Sequence, residues 1–116
     1  MKTLKSRLQK KIEPSYLVQG EDILLYDKAL ELIKKAVNLT LEDFNFIVFD
    51  DDNFDADAVI DACETLPIGS DKKIVLLKNL TKINENFKKK LKDYIKKPVE
   101  STCLVIFVFF NKFDFV

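Results

Sequence analysis

The sequence predicts an α/β domain with a parallel sheet and helices on both faces, and three observations carry that expectation. Short runs rich in β-branched residues alternate with stretches whose apolar residues recur at helical spacing. Two of the runs, Ile74–Leu77 and Cys103–Phe110, are apolar without interruption, the pattern of strands covered on both faces. A length of 116 residues, 47% hydrophobic and 33% charged, suits one domain with a real core and argues against disorder. Right-handed crossovers between successive parallel strands make such a domain three-layered, α/β/α.

The elements follow in order. Leu4, Leu8 and Ile12 stand four apart among Lys2, Lys5, Arg7, Lys10 and Lys11, so a short basic helix is expected first, ended by Pro14. Tyr16-Leu17-Val18-Gln19 is a first strand, closed by Gly20. A long helix is expected from about Asp22 to Val37, with Ile23, Tyr26, Leu30, Ile33 and Val37 on one stripe. Phe44 to Phe49 reads as the second strand, followed by the acidic turn Asp50-Asp51-Asp52-Asn53.

Ala56, Val59, Ile60, Cys63 and Leu66 then recur at helical spacing, with Asn53 or Asp55 as the N-cap. Pro67 ends that helix, and Gly69-Ser70-Asp71 is turn chemistry leading into Ile74–Leu77. Ile83, Phe87, Leu91 and Ile95 mark one more helix, stopped by Pro98. Cys103–Phe110 is the most apolar run and is expected at the centre of the sheet. Because it lies close to Val116, the sheet is expected to continue beyond this sequence, and residues 1–116 read as one domain of a longer chain.

Charge excludes little by its total and more by its distribution. The formal net charge is zero, yet residues 1–58 hold eight basic and twelve acidic side chains, and residues 59–116 hold eleven and seven. Ten lysines lie between Lys72 and Lys97 against Glu85 and Asp93 alone. Lysine outnumbers arginine eighteen to one, which reads as genome composition more than chemistry. Two cysteines and no histidine make a zinc site a poor expectation, and Cys63 and Cys103 are expected as free buried thiols. Residues 1–12 lack the apolar core of a signal peptide, and no run approaches the roughly 18 apolar residues of a membrane span. A reducing cytoplasm is the expected location.

Chemistry is expected at the carboxyl ends of the strands in an open parallel sheet. After the first strand stands Gly20-Glu21-Asp22, one glycine followed by two carboxylates that repel phosphate, where a phosphate loop needs GxxxxGK[ST]. Lys78-Asn79 follows the third strand, where a magnesium-binding acid would be needed. No nucleotide or other cofactor is therefore expected. A calcium loop counted from Asp51 would need Gly at position 56 and Glu at position 62, and alanine occupies both. Without histidine, without GxSxG and with neither cysteine in an exposed basic setting, covalent catalysis has no residues to run it. Asn111-Lys112 reads as a plain strand end in preference to a sensor-like polar pair. A non-catalytic protein is expected.

Two features remain as candidate binding surfaces. At the elbow, Leu66, Pro67 and Ile68 sit where polar residues are expected, so they are either buried locally or offered to a partner as an apolar wedge. The lysines Lys82, Lys88–Lys90, Lys92, Lys96 and Lys97 could face nucleic-acid phosphates, although exposed aromatics for base stacking are not interleaved with them.

The order of these pieces resembles the delta subunit family of the bacterial DNA polymerase III clamp loader. The resemblance is carried by the basic first helix with Pro14, by Tyr16-Leu17-Val18-Gln19-Gly20-Glu21-Asp22 and by a helix ending in a lysine pair. Further along it is carried by Phe49-Asp50 and the acidic turn, Glu64-Thr65-Leu66-Pro67, and Ser70-Asp71-Lys72-Lys73 before Ile74–Asn79. Pro98 and Ser101-Thr102 before the last strand complete it. The resemblance implies a RecA-like AAA+ first domain without a working nucleotide site. It also implies a sliding clamp as partner, contacted through Leu66, Pro67 and Ile68 with Ile68 as the wedge. Other clamp-loader subunits would be partners of the full-length chain, and DNA would be met indirectly through the complex. The alternative is a nucleic-acid-binding α/β domain that uses the Lys72–Lys97 region.

Overall fold

The computed structural model describes residues 15–20, 23–78, 80 and 84–109. The elements are β1 (Ser15–Gly20), α1 (Ile23–Ala36), α2 (Glu42–Asn45), β2 (Phe46–Phe49), α3 (Ala56–Glu64), β3 (Lys73–Lys78), α4 (Glu85–Lys96) and β4 (Thr102–Phe109). The strands stand side by side in the order β1-β4-β3-β2. All three pairings are parallel, with Tyr16 opposite Val105, Val75 opposite Leu104 and Ile47 opposite Val75. This is the expected α/β class, with β4 and β3 central. The predicted basic helix with Pro14, the Glu21-Asp22 pair, Asn79, Lys82, Ile83 and Asn111-Lys112 lie outside the described residues.

Strand alternation distributes the core to two faces. Tyr16, Val18, Ile74, Leu76, Cys103, Val105 and Phe107 point to one side, where Tyr26, Ala29 and Ile33 of α1 and Val37 just after it cover them. Tyr26 stacks on Phe107 with ring centroids 4.8 Å apart. Val75, Leu77, Leu104 and Ile106 point to the other side, under Val59 and Cys63 of α3 and Phe87, Leu91 and Tyr94 of α4. The two thiols are free and buried in the two different clusters, with the sheet between them.

Caps set the helix boundaries. Asp55 is the N-cap of α3 and accepts from the amides of Asp57 and Ala58. Asn53, the other candidate, instead closes the acidic turn by accepting from Asp50 N and donating to Val48 O. Asn84 caps α4 by accepting from Phe87 N. After α1, Asn38 takes a left-handed φ of 53° while Leu39 N donates to Lys34 O, a C-terminal cap that turns the chain back.

Three details differ from the sequence expectation. β2 begins at Phe46, because Phe44 and Asn45 belong to a single helical turn closed by their amides on Leu41 O. Leu66 lies beyond α3 and off its apolar stripe, because the chain leaves the helix at Thr65, whose amide and hydroxyl both bond Asp61 O. On α4 the third buried position is Tyr94, while Ile95 is 39% exposed. Tyr94 supplies a phenolic oxygen that accepts from Val99 N at 3.2 Å.

Lys73, at the head of β3, is only 2% exposed and shares its surroundings with Cys63. Burial lowers its pKa from the usual lysine range, and the charge interaction with Cys63 offsets part of that. A buried cation stabilises little relative to an apolar residue of the same length. Lys73→Met is expected to raise the melting temperature by a few degrees, corresponding to about 1 kcal/mol. A lower melting temperature would show that the ammonium makes a contact the fold needs.

Candidate functional site

The elbow between α3 and β3 stands at the amino ends of the strands. Leu66 is 69% exposed and Ile68 55% exposed, while Pro67 is half-buried. The fold therefore brings Leu66 and Ile68 to the surface as a pair, with Pro67 shaping the bend between them.

What holds the elbow is Asn45, the residue that ends the helical turn α2. Its side chain is fully buried. Its amide nitrogen donates to Ile68 O at 2.6 Å and to Thr40 O at 2.9 Å, and its amide oxygen accepts from Ile68 N at 2.8 Å. Both backbone polar groups of Ile68 are thus satisfied by one side chain from 23 residues away. Thr40 Oγ1 donates to Gly69 O at 3.0 Å, adding a second tie. A backbone fixed at both ends of Ile68 leaves its side chain outward without the entropy of a loose loop.

Gly69 has a φ of 62°, in the left-handed region that glycine tolerates. A Cβ there would lie 2.7 Å from Leu41 Cδ1. Gly69→Ala is therefore expected to destabilise the domain by about 1–2 kcal/mol, from backbone strain plus displacement of Leu41. Chemical denaturation would check it, and an unchanged midpoint would contradict the tight packing described.

At the opposite end of the sheet, Asp50, Asp51, Asp52 and Lys78 line a shallow depression. The turn is internally bonded, with Asp52 N donating to Asp50 Oδ1 at 2.9 Å. Three carboxylates around one lysine are a poor cradle for a polyphosphate. Among the described residues no group of three or more His, Cys, Asp or Glu side chains is placed to hold a metal ion.

Part of the lysine-rich region is engaged with its own protein. Lys72 Nζ donates to Glu100 O at 2.6 Å, Lys73 is buried, Lys88 pairs with Glu85 at 3.7 Å and Lys90 pairs with Asp57. Lys90 and Lys97 share the groove between α3 and α4 with Asp57, Asp61, Glu64 and Asp93, so acidic groups interrupt the basic face. Lys89, Lys92, Lys96 and Lys97 remain exposed on α4 and the residue after it. Among the described residues, no helix is long and apolar enough to cross a membrane.

The sequence left Leu66, Pro67 and Ile68 either buried or exposed, and the fold exposes Leu66 and Ile68; it did not point to Asn45, whose position inside an apolar run was the one available signal. Leu41 and Phe44, 52% and 60% exposed, stand next to these residues, Leu41 against Gly69 and Phe44 adjacent to Asn45 in the chain.

The family model for DNA polymerase III, delta subunit, matches residues 16–115. The chain is 27% identical over 119 residues to the DNA polymerase III subunit delta of Bacillus subtilis, an alignment spanning 95% of this chain and 34% of that protein. Among solved structures, the Bacillus subtilis DNA clamp loader delta protein superposes with a TM-score of 0.78 at 25% identity, covering 92% of this chain and 35% of that one. A DNA polymerase III gamma subunit-related protein of Thermotoga maritima shares the fold, with a TM-score of 0.69 at 18% identity over 92% of this chain and 38% of that one. The chain thus spans about a third of the length of the relatives it matches. Four parallel strands in an AAA+-like arrangement, matched by the family model along nearly their whole length, establish that the chain belongs to the DNA polymerase III delta subunit family.

Proposed function

We propose that this domain is the clamp-contacting part of a clamp-loader delta subunit. Leu66 and Ile68 enter an apolar pocket on the ring-shaped sliding clamp, with Ile68 as the wedge and Pro67 setting the bend. The contact favours the opened clamp by binding it more tightly than the closed one, the only way a ligand shifts such an equilibrium. The work is mechanical and needs no ATP at this domain. Nucleotide hydrolysis belongs to other subunits of the loader, and DNA is met through the assembled complex. The three carboxylates that follow β2, set against the single Lys78 at the end of β3, support a domain without polyphosphate chemistry.

The observation that carries this reading is the exposed pair Leu66 and Ile68, held outward by the buried Asn45. An exposed apolar side chain on a fixed backbone is the form that interface anchors take. The test is Ile68→Asp. A charge placed in an apolar pocket without a partner loses several kcal/mol, so affinity for the cognate clamp is expected to fall at least ~100-fold. The melting temperature should stay within about 2 °C of wild type, because the side chain is exposed. Unchanged affinity would remove the wedge assignment. Salt-sensitive DNA binding in place of clamp binding would favour the lysine-rich helix instead.

A further inference from the structure

We infer that the docking surface is built from two chain segments, with Leu41 and Phe44 joining Leu66 and Ile68 in one apolar face that seats in a basic-rimmed apolar pocket of the sliding clamp. The inference rests on the clamp-contact reading above and extends it to residues outside the elbow.

The two segments are physically one unit. Asn45, next to Phe44, bonds both backbone groups of Ile68, and Thr40, next to Leu41, bonds Gly69 O. The Leu41 side chain lies directly against Gly69. Leu66, Phe44, Ile68 and Leu41 are among the most exposed large apolar side chains described in the domain, at 69%, 60%, 55% and 52%. An exposed leucine alone means little, but four large apolar side chains on two segments tied together by side-chain-to-backbone hydrogen bonds form a patch of the kind that marks an interaction site.

Backbone conformation points the same way. Leu41 has a φ of 51°, and among the described residues only Asn38 shares a positive φ without being glycine. Asparagine is at ease there, whereas leucine is disfavoured by its Cβ. Glycine or asparagine would fit the turn better, yet a leucine stands here, packed on Gly69 along one side and 52% exposed on the other. The outlier supports a functional role for that side chain.

Charge around the patch names the partner's chemistry. Asp43, Glu64 and Asp71 are exposed within three residues of the four apolar side chains. Lys34 pairs with Glu42 at 2.8 Å, and the Lys72 ammonium is turned to Glu100 O. An apolar face rimmed by carboxylates is complementary to an apolar pocket rimmed by lysine or arginine.

The experiment is calorimetric titration of the chain into its cognate clamp, comparing wild type, Leu41→Gly, Phe44→Ser, Ile68→Asp and the double variant Asp43→Lys, Asp71→Lys, with melting temperatures alongside. Leu41→Gly separates binding from folding, since glycine suits the left-handed turn and removes the side chain. It should melt no lower than wild type yet bind about five- to tenfold more weakly. Phe44→Ser should weaken binding by about tenfold. The double lysine variant should bind more weakly at low salt and converge toward wild type as salt rises. Loss of binding in Ile68→Asp, with Leu41→Gly and Phe44→Ser within twofold of wild type, would overturn the two-segment surface and leave the wedge standing. Wild-type binding in all variants would overturn both.

Discussion

Asn45→Ala is expected to destabilise the domain by about 3 kcal/mol, the largest effect of any single truncation near the site. The side chain makes three hydrogen bonds in a buried setting, two to Ile68 and one to Thr40. Removing it leaves the Ile68 amide, the Ile68 carbonyl and the Thr40 carbonyl short of partners, and each unsatisfied buried group costs about 1–3 kcal/mol unless water reaches it. The elbow is near the surface, which places the total toward the low end of the sum.

A second consequence distinguishes this residue from an ordinary core asparagine. With the elbow released, Leu66 and Ile68 must be ordered at the moment of binding, so clamp affinity should fall even at temperatures where the variant is fully folded. Asn45→Asp is the informative companion: it keeps the acceptor for Ile68 N and loses both donors. An Asn45→Ala chain with wild-type denaturation midpoint and affinity would show that the elbow is held by something else.

The second large effect is a loss of stability at alkaline pH. Burial pushes the thiols of Cys63 and Cys103 from 9.0 up to about 12. Between those values the unfolded chain releases thiol protons that the folded chain keeps, so the native state binds more protons and unfolding becomes easier as pH rises. Each thiol contributes a slope of up to about 1.4 kcal/mol per pH unit, or roughly 4 kcal/mol across the interval. Tyr94, raised mainly by burial, adds to the same trend.

Lys73 acts with the opposite sign. Its lowered pKa means that the folded chain releases its proton first, which favours the native state as pH rises. With two thiols and a tyrosine against one lysine, the net slope above pH 9 is downward. Urea denaturation at pH 7, 9 and 10.5 should show little change to pH 8.5 and a steep fall beyond it. Cys63→Ala, Cys103→Ala should be less stable at pH 7 from the cavities left behind, yet show a flatter alkaline slope. An equal slope in the variant would mean that the thiols ionise freely in the folded protein.

Much of the architecture was legible in the sequence because periodicity is a local signal. The unbroken runs at Ile74–Leu77 and from Cys103 marked the two central strands, and the structure places them there. The elbow was legible because Pro67 and Gly69 punctuate an apolar stretch, and turn chemistry is also local. Phe44 and Asn45 were not legible. They continue into the apolar run of β2, and nothing within a few residues announces a helical turn.

Asn45 earns its structural role through Ile68, a partner 23 residues on, and no propensity or spacing encodes that pairing. Lys73 is one of a lysine pair ahead of the apolar run, and its register beside Thr102 at the head of the central pair buries it. Ile95 and Tyr94 are adjacent on a helix, so a shift of one position decides which is covered. Packing against Val99 and Thr102 settles it for Tyr94.

The central claim, that this domain contacts the clamp through an apolar surface without nucleotide, is tested most directly by titrating the chain into its cognate sliding clamp. The titration is run with and without ATP and at two salt concentrations. Burial of a mainly apolar surface predicts binding with a negative heat-capacity change. Affinity should be the same with and without ATP and fall between about 50 and 300 mM salt only by the modest amount that screening of the carboxylate rim produces. Binding that requires ATP, or no clamp binding together with DNA binding that collapses as salt rises, would contradict the account.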